Sequence, residues 1–285
     1  MTIENRYDFV MIFDVENGNP NGDPDAGNSP RMDMESGCGY ITDVCLKRKI
    51  RNYVELVKDC AEGYDILIKP ERSLNAKFKE AYENENLKTG QKGKVADDVE
   101  RAKEYMCKHY FDVRAFGAVM STGDDPCGIV RGPVQINFAK SQSPITIDEV
   151  TITRQARTTD TRKETGDTEM GKKSIIPYAL YRAEGYVSAP LASKTGLSEE
   201  DLDLLWEAII NMFENDHSAA RGKMCMRKLF IFKHESPLGN CPSHLLFDKI
   251  DVKPVVEKEA PRSFKDYEIS VDRNIPAGIE LVEII

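Results

Sequence analysis

Residues 7–15 read YDFVMIFDV, an apolar run rich in β-branched and aromatic side chains that stops where Asn and Gly begin. A run this short, without polar alternation, predicts a buried strand, and so an interior sheet around which the remaining elements must be arranged. NGNPNGDPDAGNSPRMD, residues 17–33, follows at once and crowds Asn, Gly, Asp and Pro together. Beyond it, with Thr42 or Asp43 as N-cap, Val44, Ile50, Val54 and Val57 recur at near-helical spacing to about Lys58. The chain therefore starts as strand, loop, helix.

GYDILIKP, residues 63–70, predicts a second strand stopped by Pro70. Residues 71–111 are highly charged and mostly helical, broken at NLKTGQKGK, and read as an insertion. GIVRGPVQINFAKS and EVTITRQ return to strand character. TTDTRKETGDTEMGKK, residues 158–173, is polar and nearly free of apolar side chains, which predicts a protruding hairpin because it has nothing to give to a core. LSEEDLDLLWEAIINMF is a helix capped by Ser198, with Leu202, Leu205, Ile209 and Met212 on one face. KLFIFKH, HLLFDKIDV, YEISVD and IELVEII read as further strands. This order predicts an α+β sandwich of the β-α-β-β-α-β kind, decorated by one helical insertion and one hairpin.

With 285 residues and 40% hydrophobic content, the chain can fill a core without staples. Its seven Cys form no C-x-x-C pair, which reads as scattered, reduced thiols in a cytoplasmic protein. The start MTIENRYDFV has no secretion-signal order, and no apolar run approaches the roughly 20 residues that span a bilayer, so no membrane role is expected. The formal net charge of −9 speaks against a nucleic-acid partner until its distribution is considered. LKRKIRNYVELVK carries Lys47, Arg48, Lys49, Arg51 and Lys58 against Glu55 alone, and Arg154, Arg157, Arg162, Lys163, Lys172 and Lys173 crowd a second stretch. An acidic protein with basic strips can hold a polyanion along one face while the rest repels it.

Motifs for other chemistry fall short. Asp23 and Asp25 alternate like calcium ligands, but Asn28 and Met34 occupy the places where an EF-hand loop needs Gly and a bidentate Glu. GDTEMGKK approaches a P-loop, yet Lys173 stands where Ser or Thr must hold magnesium and SIIP supplies no helix start. There is no G-x-S-x-G, and His109, His217, His234 and His244 lack zinc spacing, so neither a catalytic centre, a metal nor a cofactor is expected. What remains is basic: the KRKIR run, the polar hairpin, and the ARG of SAARGK, beside a loop able to turn backbone N–H groups toward phosphates.

DVENGNPNGDPDAGNSPRMD, ITDVCLKRKIRNYV, DVRAFGAVMS and EMGKKSIIPYALYRAEGYVSAPLASKTGLSEEDLDLLWEAI together resemble the backbone subunit of type I CRISPR Cascade complexes, most like the subtype I-C form. The likeness runs from residue 5 to about 235. It implies a modified RRM-like palm (1–58, 112–150 and 177–285), a helical fingers insertion (59–111) and a β-hairpin thumb (151–176). It also implies a subunit that stacks in copies along the crRNA, beside other Cascade subunits, and presents the guide to target DNA. Carried onto this chain, Asn19, Asn21, Asn28, Ser29 and Arg31 would contact phosphate or ribose. Lys47, Arg48 and Arg51 would pair with phosphates. Arg154, Arg157, Met170 and Lys172 would bind the RNA from the thumb, with Met170 as a wedge against a base, and Arg221 would bind it as well. A guide of arbitrary sequence must be gripped by its backbone, and RAFGAVMS and RKLFIFKH both miss the base-stacking aromatic signature of ordinary RRM domains. The competing reading is an endoribonuclease of the wider RAMP superfamily, using Asp14, Asp23, Asp25 or Asp33; a protein-only adaptor is the third.

Overall fold

The computed structural model describes residues 1–59, 61–90, 95–154, 169–255 and 260–285, with the backbone course only at Arg154, Glu169 and Met170. The predicted first strand is β1, Tyr7–Gly18. Two short strands, β2 (Gly22–Asp23) and β3 (Ser29–Pro30), lie within the loop, then come β4 (Cys38–Ile41) and helix α1 (Asp43–Lys58). Helices α2 (Leu74–Asn84), α3 (Ala96–His109) and α4 (Phe111–Phe116) lead to the hairpin β5 (Gly117–Met120) and β6 (Gly128–Arg131). Strands β7 (Val134–Ile136), β8 (Ala139–Pro144), β9 (Asp148–Arg154) and the long β10 (Glu169–Val187) follow. After α5 (Ala189–Thr195), α6 (Glu199–Asn211) and β11 (Lys223–His234), the chain closes with α7 (Ser243–Phe247), β12 (Ile250–Pro254), β13 (Tyr267–Val271) and β14 (Ile279–Glu283).

The result is a mixed α/β fold around one large sheet, ordered β14-β11-β1-β10-β8-β4, with β7 and β9 also paired to β10 and all pairings antiparallel. β1 lies between β10 and β11. Its alternate residues Phe9, Met11, Phe13 and Val15 share a core with Leu46, Ile50 and Val54 of α1 and Leu202, Leu205 and Ile209 of α6. Val10 and Ile12 face the other way, against Leu246, Phe247, Ile250, Val252 and Tyr267 of α7, β12 and β13. Covered on both faces, β1 has no use for polar alternation. Ser198 caps α6 in a reciprocal capping box with Asp201, as the sequence predicts, and Leu202, Leu205, Ile209 and Met212 are all buried.

Three expectations change. On α1, Thr42 is the cap, and the buried line runs through Leu46, Ile50, Tyr53 and Val54, leaving Val44 and Val57 exposed on turns that face away from the sheet. HLLFDKIDV is not one strand: it divides at Phe247 into α7 and β12. GYDILIKP forms no strand beyond a single bridge from Asp65 to Tyr110, because side chains take its backbone groups. Asp112 accepts the N–H groups of Leu67 and Ile68 at 2.8 and 3.1 Å, and the buried Lys77 ammonium donates to the carbonyls of Ile66 and Leu67 at 3.1 and 2.7 Å. Backbone groups satisfied in this way have no need of a neighbouring strand.

A second apolar cluster, separate from the sheet, packs Phe78, Tyr82, Met106 and Tyr110 with Met120 and Val130. It spans the expected insertion and continues past residue 111 into the β5–β6 hairpin.

Close packing at the sheet centre is testable at Gly185, where an added Cβ would lie 2.1 Å from the Phe9 ring. Phe9 is fully buried and edge-on to Trp206 at 5.2 Å, so it has no room to withdraw. Gly185→Ala is expected to lower stability by about 1–3 kcal/mol in urea denaturation, the cost of overpacking a filled core.

Candidate functional site

The Asn-rich loop is built by close chain crossing. A Cβ on Gly18 would lie 1.9 Å from the Arg221 carbonyl oxygen, and the Asn19 N–H donates to the Ala220 carbonyl at 2.7 Å. The loop is therefore laid directly on residues 218–222. Its own side chains then hold its shape. The Asn19 amide donates to the Asn28 carbonyl at 2.6 Å, and the Asn21 side-chain oxygen accepts from the Thr42 N–H at 3.0 Å and its hydroxyl at 3.1 Å. Thr42 caps α1, so Asn21 ties the loop to the start of that helix. Arg31 pairs with Asp23 at 3.3 Å across the β2–β3 hairpin, and Gly27 and Asn28 turn it with φ of 61° and 63°.

A cleft of about 520 Å³ opens beside this loop, lined by Asn28 and Ser29, by Glu149 of β9, by Lys172 and Lys173 of β10, and by Ala220. The structure thus brings together the loop, the base of the polar hairpin and the SAARG segment. Lys172 meets Glu149 at 3.2 Å with both side chains mostly exposed, and Lys173 donates to the Ala219 carbonyl. Arg221, partly exposed, pairs with Asp216, which also holds the buried Lys49 of α1. Lys172 and Lys173 line the cleft, and their present partners are an exposed carboxylate and a backbone carbonyl. Such pairs contribute only about 0–1 kcal/mol each and can be exchanged for an incoming anion.

The basic run of α1 does not form a single strip. Arg51 turns inward: its guanidinium donates to Asp112 at 2.8 Å and lies 5.2 Å from the Phe116 ring centroid, so its assignment to a phosphate is corrected. The physical reason is the buried Asp112 carboxylate, which needs a countercharge. Lys47 pairs with Asp43 at 3.0 Å and is only 12% exposed, and Arg48 reaches the Ile68 carbonyl and lines a separate pocket that shares no residue with the cleft.

A sequence model of the family described as CRISPR-associated protein Cas7 matches residues 5–272. The chain belongs to the Cas7 family. A curated Haloferax volcanii protein, CRISPR-associated protein Cas7, is 27% identical over 266 residues, which is 84% of this chain and 73% of its own. A chain of a solved structure described as "CRISPR RNA-guided surveillance complex, pre-nicking" shares the fold with a TM-score of 0.50 at 16% identity, over 80% of this chain and 78% of that one. A chain of a second CRISPR RNA-guided surveillance complex is similar with a TM-score of 0.46 at 14% identity, over 80% and 68%.

In this Cas7 chain the remaining candidates fall as follows. β9 and β10 pair at the hairpin base, Arg154 opposite Glu169 and Met170 opposite Thr153, while Arg157 lies outside the described residues. Lys172 and Lys173 of the P-loop lookalike are in a strand, not before a helix. Of the acidic residues, Asp14 is buried between Tyr178 at 3.0 Å and Arg227 at 2.9 Å, with burial pushing its carboxyl above the usual range. Asp23 is paired with Arg31, and Asp33 is held below the ordinary carboxylate range by the Ser36 hydroxyl. Among the described residues, no group of three or more metal-ligating side chains forms, and no helix is long and apolar enough to cross a membrane. Lys49 and Lys173 stand in the sequence's basic stretches without being assigned to the site, and Asp216 is not marked by the sequence at all. Lys173 was signalled by its neighbour Lys172, whereas nothing in the sequence links Asp216 to α1.

Replacing Arg51 by Ala leaves a buried carboxylate without its cation and is expected to lower stability by about 3–5 kcal/mol in chemical denaturation. Measured below the unfolding transition, it should leave the salt dependence of polyanion binding unchanged.

Proposed function

We propose that this Cas7 protein is a non-catalytic crRNA-binding backbone subunit of a type I-C Cascade surveillance complex, stacking in copies along the guide and presenting it to target DNA in the cytoplasm. One observation carries the reading: in a member of this family, the Asn-rich loop, the hairpin base and residues 218–221 meet in one cleft carrying Lys172 and Lys173. Phosphates would displace Glu149 from Lys172 and the Ala219 carbonyl from Lys173. If Arg221 turned to a phosphate, Asp216 would keep Lys49 as its countercharge. Asn28 and Ser29 would meet sugar or phosphate oxygens. Asn19 and Asn21 would act as positioning residues that hold the loop, since their side chains are already engaged.

The palm, fingers and thumb belong to the same proposal. β11-β1-β10-β8 with α1 after β1 and α6 after β10 has the order of a β-α-β-β-α-β unit, which supports an RRM-like palm. The separate apolar cluster supports fingers, and the β9–β10 base supports a thumb. Because α7, β12 and β13 cover the sheet face opposite the helices, bases could not spread over its centre, and a grip on the sugar-phosphate backbone at the rim suits a guide of any sequence.

The test is to express the chain with a CRISPR RNA, purify the assembly, and measure RNA binding against salt. Lys172→Ala with Lys173→Ala should weaken binding and reduce the slope of log K against log[salt] by about 1.4, since each of the two single-strand phosphate contacts contributes about 0.7. Assemblies that carry no RNA would overturn the reading. Magnesium-dependent cutting of a labelled RNA, abolished by Asp33→Ala, would replace it with the endoribonuclease reading.

A further inference from the structure

At the C-terminal end of the loop, another cavity of about 520 Å³ is lined by Tyr40, Phe138, Lys140, Ser36 and Asp33. Gly39 and Ile41 face the helix-side core, Gly39 so closely that a Cβ would lie 2.5 Å from the Tyr181 hydroxyl. By strand alternation Tyr40 points to the opposite face of the sheet. There the α7–β12–β13 layer reaches β8 through Tyr267, whose hydroxyl donates to Ser143 at 3.0 Å, and the margin by β4 is left open. Tyr40 and Phe138 lie in nearly parallel planes, 5° apart, with ring centroids 6.2 Å from each other. Phe138 is 50% exposed. Lys140, directly across from Tyr40 on β8, is exposed too. Asp33 is the one acidic member, and its carboxylate is engaged by the Ser36 hydroxyl at 2.7 Å and the Glu35 N–H at 3.1 Å.

We propose that Tyr40 and Phe138, with Lys140 beside them, form a stacking platform for an unpaired nucleobase of a single-stranded nucleic acid. A pair of parallel rings, Tyr40 half-buried and Phe138 exposed, offers a π-face that any base can cover, and a lysine at its margin suits the phosphate that accompanies it. The platform is continuous with the loop: residues 31–33 run along β4, the Tyr40 N–H donating to the Arg31 carbonyl at 3.0 Å and the Asp33 N–H to the Cys38 carbonyl at 2.9 Å. A strand held in the cleft at one end of this loop could lay a base on the rings at its other end. The inference rests on the nucleic-acid reading of the cleft but uses different residues, so the two can fail separately.

The test uses the full chain with two 20-nucleotide single strands, one RNA carrying 5-iodouridine and one DNA carrying 5-iodo-deoxyuridine. Each is photo-crosslinked and mapped by mass spectrometry, and the arm that reacts tells which strand supplies the base. The expected result is an adduct on a peptide containing Tyr40 or Phe138. Phe138→Ala should weaken binding roughly tenfold with an unchanged melting temperature, and Phe138→Trp should restore it. Adducts confined to the cleft, with Phe138→Ala binding normally while Lys172→Ala with Lys173→Ala does not, would overturn the platform and leave the cleft standing. Normal nucleic-acid binding by Phe138→Ala together with a smaller assembly in light scattering would also overturn it, assigning the rings to a protein contact.

Discussion

Residues Tyr7–Val15 of β1 are hydrogen-bonded on both edges, to β10 and β11, and covered on both faces, by α1 and α6 on one side and by α7, β12 and β13 on the other. A strand in this position decides where the rest of the chain can go. Its C-terminal end delivers the Asn-rich loop to the sheet's rim, its neighbour β10 runs on past the sheet to become one arm of the polar hairpin, and β11 begins beside both. The cleft is a consequence of these three chain ends meeting. The covering of both faces also removes the sheet centre as a binding surface, so any extended polyanion must be met at the rim.

Charge is distributed by the same logic. Arg51, Arg114, Lys49 and Lys77 are buried, each held by carboxylates or carbonyl oxygens. Arg114, for example, makes a two-pronged pair with Asp201 at 2.8 and 2.7 Å. Those cations organise the fold, tying α1 to α4 and α4 to the start of α6. Cations at the cleft differ in that their partners are exposed or are backbone carbonyls, which makes them exchangeable. A chain of net charge −9 can in this way keep a local anion-binding groove while most of its surface repels polyanions.

The first strand, the capped α6 with its buried stripe, the start of α1 within one residue (Thr42 or Asp43) and the strand character of the β9 and β11 regions were legible because each depends on local pattern. So was the participation of the loop, Lys172 and the SAARG segment in one region, through the likeness to a known family. Residues 63–70 were misread because a β-branched run looks the same whether sheet neighbours or the side chains of Asp112 and Lys77 take its backbone groups. The inward turn of Arg51 was hidden for a similar reason: its partner is 61 residues away.

By itself the sequence determined the elements with short-range causes, namely caps, periodicity, turn residues and an uninterrupted apolar run, together with membership of the Cas7 family. Only the tertiary structure decided which cations are spent inside and which face the cleft. It alone covered the sheet face opposite α1 and α6 with α7, β12 and β13, and left Phe138 exposed and Tyr40 half-buried at its margin. Hydrogen bonding and burial between residues far apart in the chain depend on where the whole fold places them, and local composition does not carry that information.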